Sequence, residues 1–281
     1  MATLILGMRG HTGKTTLAEA LIGTNDAFDV PTAAITVDNQ ERLTKLLGDR
    51  VNLTLRLSAD ISAIVDNAKL ALRHYNPILN YMIEGDVVGD FGAQSAPHIF
   101  AWFREMDIVE ELLDARTFVQ VVTCTDCDAQ SIEGALQVLA TAKKVFAALD
   151  AEGLVSYTLV TSGHNGNFDG AEAGNADLKT LRSLPWVRII DVPVNRSEFW
   201  IKNRGAQQDR TVGDIVASIS ELQSAKAECQ RLGMDIADCR RERRIFMEWA
   251  QSMQGAILPL LRPSVQAMVR AEAGAAGPQA A

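Results

Sequence analysis

At 281 residues the chain is long enough for one α/β domain with an appendage, or for two small domains. Apolar residues make up 47%, enough for a sizeable core, and the net charge of −8 excludes a chain-wide nucleic-acid surface while leaving room for a local basic patch. Four cysteines make no disulfide framework, and neither a signal peptide nor an apolar run near ~20 residues is present, so a reducing, cytoplasmic setting without a membrane span is expected.

The apolar run Leu4-Ile5-Leu6 predicts a strand, and Thr15 to Ile22 predicts a helix with Leu17, Ala18, Leu21 and Ile22 on one face. Between them lies Arg9-Gly10-His11-Thr12-Gly13-Lys14-Thr15-Thr16. Strand, glycine-bearing turn and helix are the context a phosphate-binding loop requires. The glycines let backbone N–H groups converge on an anion, and the helix N-terminus adds partial positive charge. Lys14 is placed to reach the β- and γ-phosphates, and Thr15 to offer its hydroxyl to Mg²⁺. The spacing departs from G-x-x-x-x-G-K-[ST], because Met8 stands where the first glycine belongs.

Thr32 to Asp38 reads as a buried parallel strand ending in an acid. Asp38 is either a residue beside the phosphate loop or the N-cap of a short helix, Glu41 to Leu47, closed by Gly48. Val51 to Leu57 alternates as a strand, and Ala59 to Tyr75 has helical spacing. Tyr81 to Ala93 holds the next strand and two aspartates. A magnesium-side acid ends an apolar strand, which favours Asp90 over its rival Asp86. Phe100 to Leu113 predicts one amphipathic helix, Phe118 to Thr123 a strand, Asp128 to Leu149 a long helix, and Tyr157 to Thr161 another strand. Gly163 to Asn167 reads as a loop and Trp186 to Pro193 as the last strand. Alternation of this kind predicts a doubly wound, mostly parallel sheet over residues 1–205. Ser162 to Asn165 and Pro193 to Asn195 are then candidates for the base of a nucleotide.

Thr211 and Asp214 form a capping-box pattern. Ile215, Ile219, Leu222, Cys229, Leu232, Ile236 and Cys239 continue as a helical stripe, which Gly233 and Gly255 interrupt and Pro259 ends. Residues 211–262 are therefore expected as a helical extension, and the Ala-, Gly- and Pro-rich stretch 271–281 as a disordered tail.

The first forty-odd residues resemble the ParA/MinD family of deviant Walker ATPases. Arg9 to Thr15 aligns without gaps with that family's K-G-G-x-G-K-[ST]. Asp38-Asn39-Gln40 with Leu43, Leu47 and Gly48 is similar to its first switch. Asp90-Phe91-Gly92-Ala93-Gln94-Ser95-Ala96-Pro97 and the Arg-rich helix resemble the TraL/StbB-type branch of plasmid transfer and stability. The broader resemblance covers roughly residues 3 to 200. It implies a P-loop NTPase of this type that binds ATP and Mg²⁺, hydrolyses ATP, and dimerises with ATP to act in plasmid partition, stability or conjugation. Carried over by position, Gly10 to Gly13 cradle phosphates, Lys14 contacts them, Thr15 and Asp90 hold the metal, Thr16 meets the α-phosphate, and Asp38 positions the attacking water. Arg9 stands for the lysine that crosses the dimer interface, and Pro193 lies by the base. His11 replaces a glycine, which puts hydrolysis in doubt.

Three stretches admit plainer readings. Cys124-Thr125-Asp126-Cys127 has the C-x-x-C spacing but no second pair for zinc, and two half-buried residues are the expectation. Arg240, Arg241, Arg243 and Arg244 could meet DNA phosphates, yet Asp238 and Glu242 are interleaved as on a solvated face. The apolar stripe from Phe246 through Trp249 to Ile257 is expected to pack on protein, with membrane contact unlikely. A non-hydrolysing scaffold that docks a partner through its C-terminal helices is the alternative to an ATPase. A small-molecule kinase is disfavoured by the lack of a basic lid segment.

Overall fold

The first strand, β1 (Ala2–Leu6), is buried along its whole length, and its alternation divides the molecule into two layers. Ala2, Leu4 and Leu6 join one apolar cluster, while Ile5 joins the other. That two-sided burial is what a central parallel strand requires. The computed structural model describes residues 1–57, 71–163, 168, 175–205 and 210–275.

The elements follow in the order α1 (Lys14–Ala27), β2 (Thr32–Val37), α2 (Arg42–Leu47), β3 (Val51–Leu55), α3 (Asn76–Glu84), β4 (Asp86–Phe91), α4 (Ala96–Glu105), α5 (Ile108–Asp114), β5 (Val119–Thr125), α6 (Ala129–Val145), α7 (Ala147–Ala151), β6 (Val155–Ser162), α8 (Ala176–Ser183) and β7 (Val187–Val192). Then come α9 (Glu198–Gly205), α10 (Val212–Ile219), α11 (Leu222–Arg231), α12 (Cys239–Ile257) and α13 (Pro263–Ala275). The strands form one 7-stranded sheet in the order β3-β2-β4-β1-β5-β6-β7, every pair parallel. The fold is therefore the expected α/β, doubly wound sheet. Strand succession leaves β1 first on one side and then on the other. The crevice at the carboxyl end of β1 is thus a topological switch point, where such sheets bind ligands.

One face of the sheet is covered by α3 to α8. Its centre is aromatic, with Phe103 4.8 Å from both Trp102 and Phe146. The other face is covered by α1 together with α10 to α13. Leu17, Leu21, Ile215, Ile219, Phe246, Trp249, Met253 and Val265 share a single cluster there. Buried acids fix the helices in place. Glu19 of α1 accepts from the Val212 amide, Glu242 accepts from the Glu198 amide at 2.8 Å, and Glu228 accepts from Arg210 and Arg231, both at 2.6 Å. The capping box of Thr211 and Asp214 is formed as the sequence predicts.

Several helices differ from expectation. The single helix over Phe100 to Leu113 is two helices, because Asp107 takes a left-handed φ of 57° that breaks the hydrogen-bond ladder. The helix over Asp128 to Leu149 is also two. The chain bends at Phe146, which is fully buried against Phe100 and Phe103. The stripe after Thr211 is divided among α10, α11 and α12, with Gly233 at φ 62° closing the turn after α11. Gly255 lies within α12, and Pro259 sits in a 3₁₀ turn just beyond it. Beyond the expected extension, α13 buries Val265 and Val269 on the core and runs to Ala275, into the stretch expected as a tail from Ala271. Residues 276–281 of that tail, most of the helix expected over Ala59 to Tyr75, and the loop residues His164 to Asn167 lie outside the described residues. Among the described residues, no helix is long and apolar enough to cross a membrane.

Candidate phosphate-binding site

β1 delivers the chain to the crevice at Gly7. A Cβ at Gly7 would come within 3.1 Å of the Lys14 side chain, so the glycine makes room for the lysine. The loop then turns through left-handed conformations at His11 (φ 60°) and Gly13 (φ 88°). Glycine adopts such torsions freely, whereas histidine incurs a cost of roughly 1–2 kcal/mol, so the loop keeps its shape at some expense to stability. Gly13 sits at the N-cap position of α1 and supplies no side-chain cap, which leaves the helix's first amides facing the crevice.

Lys14 is buried, and its ammonium donates to the Arg9 carbonyl at 2.6 Å. Burial lowers its pKa below the ordinary lysine value, while Asp90 and Asp38 counteract that by favouring the charge. Thr15 donates to Asp90 Oδ2 at 2.7 Å. Asp90 sits near the carboxyl end of β4, and burial pushes its carboxyl up to about 6 despite the Thr15 bond and the Lys14 charge. The register of β1 on β4 pairs Ile5 with Asp90, so the acid stands next to the root of the loop. Asp86 is at the opposite end of the same strand, where it pairs with Arg262 and the Met1 amino group. The two sequence candidates are thereby separated, and only Asp90 meets Thr15.

Asp38 follows β2 and makes no side-chain cap to α2, so the N-cap alternative is not realised. Its carboxylate lies against Gly92, where a Cβ would come within 2.6 Å of Oδ1. Gly92 is therefore the residue that lets Asp38 sit beside Asp90. These groups border a cavity of about 660 Å³ lined by Gly10 to Thr16, Asp38, Asp90 and Pro193. Arg9 is not part of that lining. Its guanidinium donates to Gln130 at 2.6 Å and to Asp128, the N-cap of α6, at 3.4 Å, with the side chain half exposed.

Several lining residues were missed by the sequence reading. Arg42 enters from α2, Cys124 from β5, Trp200 from α9, and Trp249 and Met253 from α12. The Trp249 indole donates to the Pro193 carbonyl at 2.9 Å, and its ring lies 5.1 Å from that of Trp200. Asn195 accepts from Ser197 through Oδ1, while its buried Nδ2 has no partner among the described residues. Only the C-terminal stripe carried a signal for these residues, and it pointed to the core without indicating the cavity.

Cys124 is fully buried with its thiol pushed up to about 12 by burial, and Cys127 is half-buried. Among the described residues no cluster of three or more His, Cys, Asp or Glu side chains could hold a metal. Arg243 donates to the Ile219 carbonyl at 2.6 Å, Arg241 pairs with Asp238 and Glu242, and Arg244 approaches Glu248 at 3.9 Å. Arg240 is exposed.

The arrangement defines a parallel α/β fold with a glycine-bearing loop that opens α1 at its switch point. Neither a protein-family model nor a curated protein matches the sequence. Among solved structures the chain is similar to apo McdA from Cyanothece, at 14% identity and a TM-score of 0.42, over 86% of this chain and 98% of that one. It is similar to the ATP complex of an McdA variant from Cyanothece at 14% and 0.41, over 83% and 96%. It is also similar to the MinC:MinD cell division complex of Aquifex aeolicus at 14% and 0.38, over 85% and 94%. At this depth the functional reading rests on the site itself.

Proposed function

We propose that the chain is an ATP-binding P-loop ATPase of the ParA/MinD type, acting as an ATP-dependent dimerisation switch. The observation that carries the reading is the convergence of Lys14, Thr15, Asp38 and Asp90 on one crevice beneath a loop with left-handed turns at His11 and Gly13. Amide donors and one buried ammonium suit a polyphosphate. Thr15 and Asp90 offer hard oxygen ligands, which suit Mg²⁺. When bound, the metal would neutralise charge on the terminal phosphates.

The residues have separable roles in this reading. Lys14 is withdrawn to the Arg9 carbonyl and would exchange that bond for phosphate oxygens. Asp38, held against Gly92, would orient a water. Thr16 and the amides of Gly10 to Gly13 would meet the remaining phosphates. Pro193, Asn195 and Trp200 form the wall for a base. Asn195 Nδ2 is a spare donor there, suited to an acceptor on the edge of a heterocycle.

Arg9 is the proposed trans contact. Its two intrachain bonds are exposed, and bonds of that kind are worth about 1 kcal/mol or less. They can therefore be exchanged for a partner's phosphate. Positioning of plasmid DNA or of a transfer complex in the cytoplasm is the finer part of the proposal. Of the arginine cluster, Arg240 is the side chain best left to contact DNA, since the other three have intrachain partners.

Sedimentation in ATP and in ADP, with turnover measured in parallel, tests the switch. ATP should favour a dimer, ADP should not, and Arg9→Ala should weaken the dimer by about ten- to a hundredfold while changing ATP binding less. Equal dimer constants for wild type and Arg9→Ala would remove Arg9 from the mechanism. A dimer without turnover above a Lys14→Ala control would favour the scaffold alternative.

A further inference from the structure

We infer that Arg42 grips the terminal phosphate of a bound nucleoside triphosphate from within its own subunit, supplying in cis the cation that distinguishes triphosphate from diphosphate. The inference rests on the nucleotide reading of the crevice.

The first argument is position. α2 follows Asp38 directly, and Leu43 anchors it by complete burial, so its neighbour Arg42 is held at the cavity wall beside Asp38 and Gln40. The tight turn from Asp38 to Glu41, closed by the Glu41 amide on the Asp38 carbonyl, fixes that entry. The second argument is direction. In the sheet, β2 lies two strands from β1 on one side, while β7, with Pro193 and Trp200 beyond it, lies three strands away on the other. At ~4.8 Å per strand, a ligand with its base on the β7 side and its phosphates over the loop ends toward β4 and β2. Arg42 stands at that end.

The third argument is charge. Glu41, the nearest acid in sequence, is taken by Arg56 at 2.5 Å. Among the described residues no carboxylate forms an ion pair with Arg42. The guanidinium is nonetheless close enough to Lys14 and Asp90 to shift both toward lower pKa. A cation at a cavity wall that forms no ion pair among the described residues is suited to an anionic ligand. Guanidinium also binds phosphate oxygens in pairs, which a lysine cannot do. Arginines supplied in cis are an established device of phosphoryl-transfer sites.

Calorimetry with ADP and with a slowly hydrolysed ATP analogue, both with Mg²⁺, tests the inference on wild type, Arg42→Ala, Arg42→Lys and Lys14→Ala. Arg42→Ala should weaken the triphosphate analogue by at least about tenfold and ADP by less than about twofold. Arg42→Lys should recover part of the difference, and thermal melting of the ligand-free variants should match wild type. Loss on both nucleotides equally, or on neither, overturns the role of Arg42 while leaving the nucleotide reading in place. Wild type that binds neither nucleotide overturns the nucleotide reading, and Arg42's role falls with it.

Discussion

The hydroxyl of Thr15 donates to Asp90 Oδ2 at 2.7 Å, joining the first turn of α1 to the strand beside β1. The bond holds together the two oxygens proposed to meet a metal, and the acid it engages is one that burial keeps partly protonated at mildly acidic pH.

A pH dependence follows. Asp90 rises from 3.8 to about 6 on folding, so between those values the native state holds a proton that the unfolded state has lost. The associated stability is full below about pH 4 and is lost as pH rises through about 6. Two units correspond to roughly 3 kcal/mol. Denaturant unfolding of wild type and Asp90→Asn should therefore diverge across this window, with wild type losing ground as pH rises. Parallel curves would show that Asp90 is not held in this way.

Gly92 should be intolerant of a side chain. A Cβ there meets the Asp38 carboxylate at 2.6 Å, so Gly92→Ala has to displace Asp38. If Asp38 orients water, turnover should fall at least about tenfold with little change in nucleotide affinity, since orientation matters mainly in the transition state. A fall in affinity with unchanged turnover would place Asp38 in binding.

The shape of the sheet and the shape of the site differ in how well the sequence predicts them. Thr32 to Val37 and the strand after Leu154 are legible because their burial on both faces is written as an unbroken β-tending run. The loop is legible because glycines, Lys14 and Thr15 lie adjacent in the chain. Bends at Asp107 and Phe146 carry neither glycine nor proline: the first rests on a left-handed torsion at Asp107, and the second accompanies packing of Phe146 on Phe100 and Phe103 that no local pattern encodes. Arg42, Trp200 and Trp249 reach the crevice only through the folding of distant segments. Gly7 was open to reading, as a glycine directly after a strand, and its purpose is to leave room for Lys14.

Overpacking of β4 offers a test of the fold that is independent of function. A Cβ at Gly89 would lie 2.5 Å from the Phe91 ring and 3.2 Å from Ile35. Gly89→Ala should destabilise by about 1–3 kcal/mol in denaturant unfolding. A neutral result would mean that the Phe91 ring can rotate away.

Trp200 and Trp249 line the cavity, whereas Trp102 and Trp186 pack on the opposite layer. Nucleotide binding should therefore change intrinsic tryptophan emission, and Trp200→Phe should remove most of that change. A change that persists in the Trp200→Phe, Trp249→Phe double variant would move the base away from the β7 side.

The central claim is that the loop from Gly10 to Thr16 binds a nucleoside triphosphate through Lys14. Isothermal titration of ATP with Mg²⁺ into wild type and Lys14→Ala tests it most directly. Wild type should bind one ATP per chain, and Lys14→Ala should lose at least about ten- to a hundredfold in affinity, because a buried charge-assisted contact is removed from a site whose other donors are mostly backbone amides. Equal affinity in the two proteins would contradict the account.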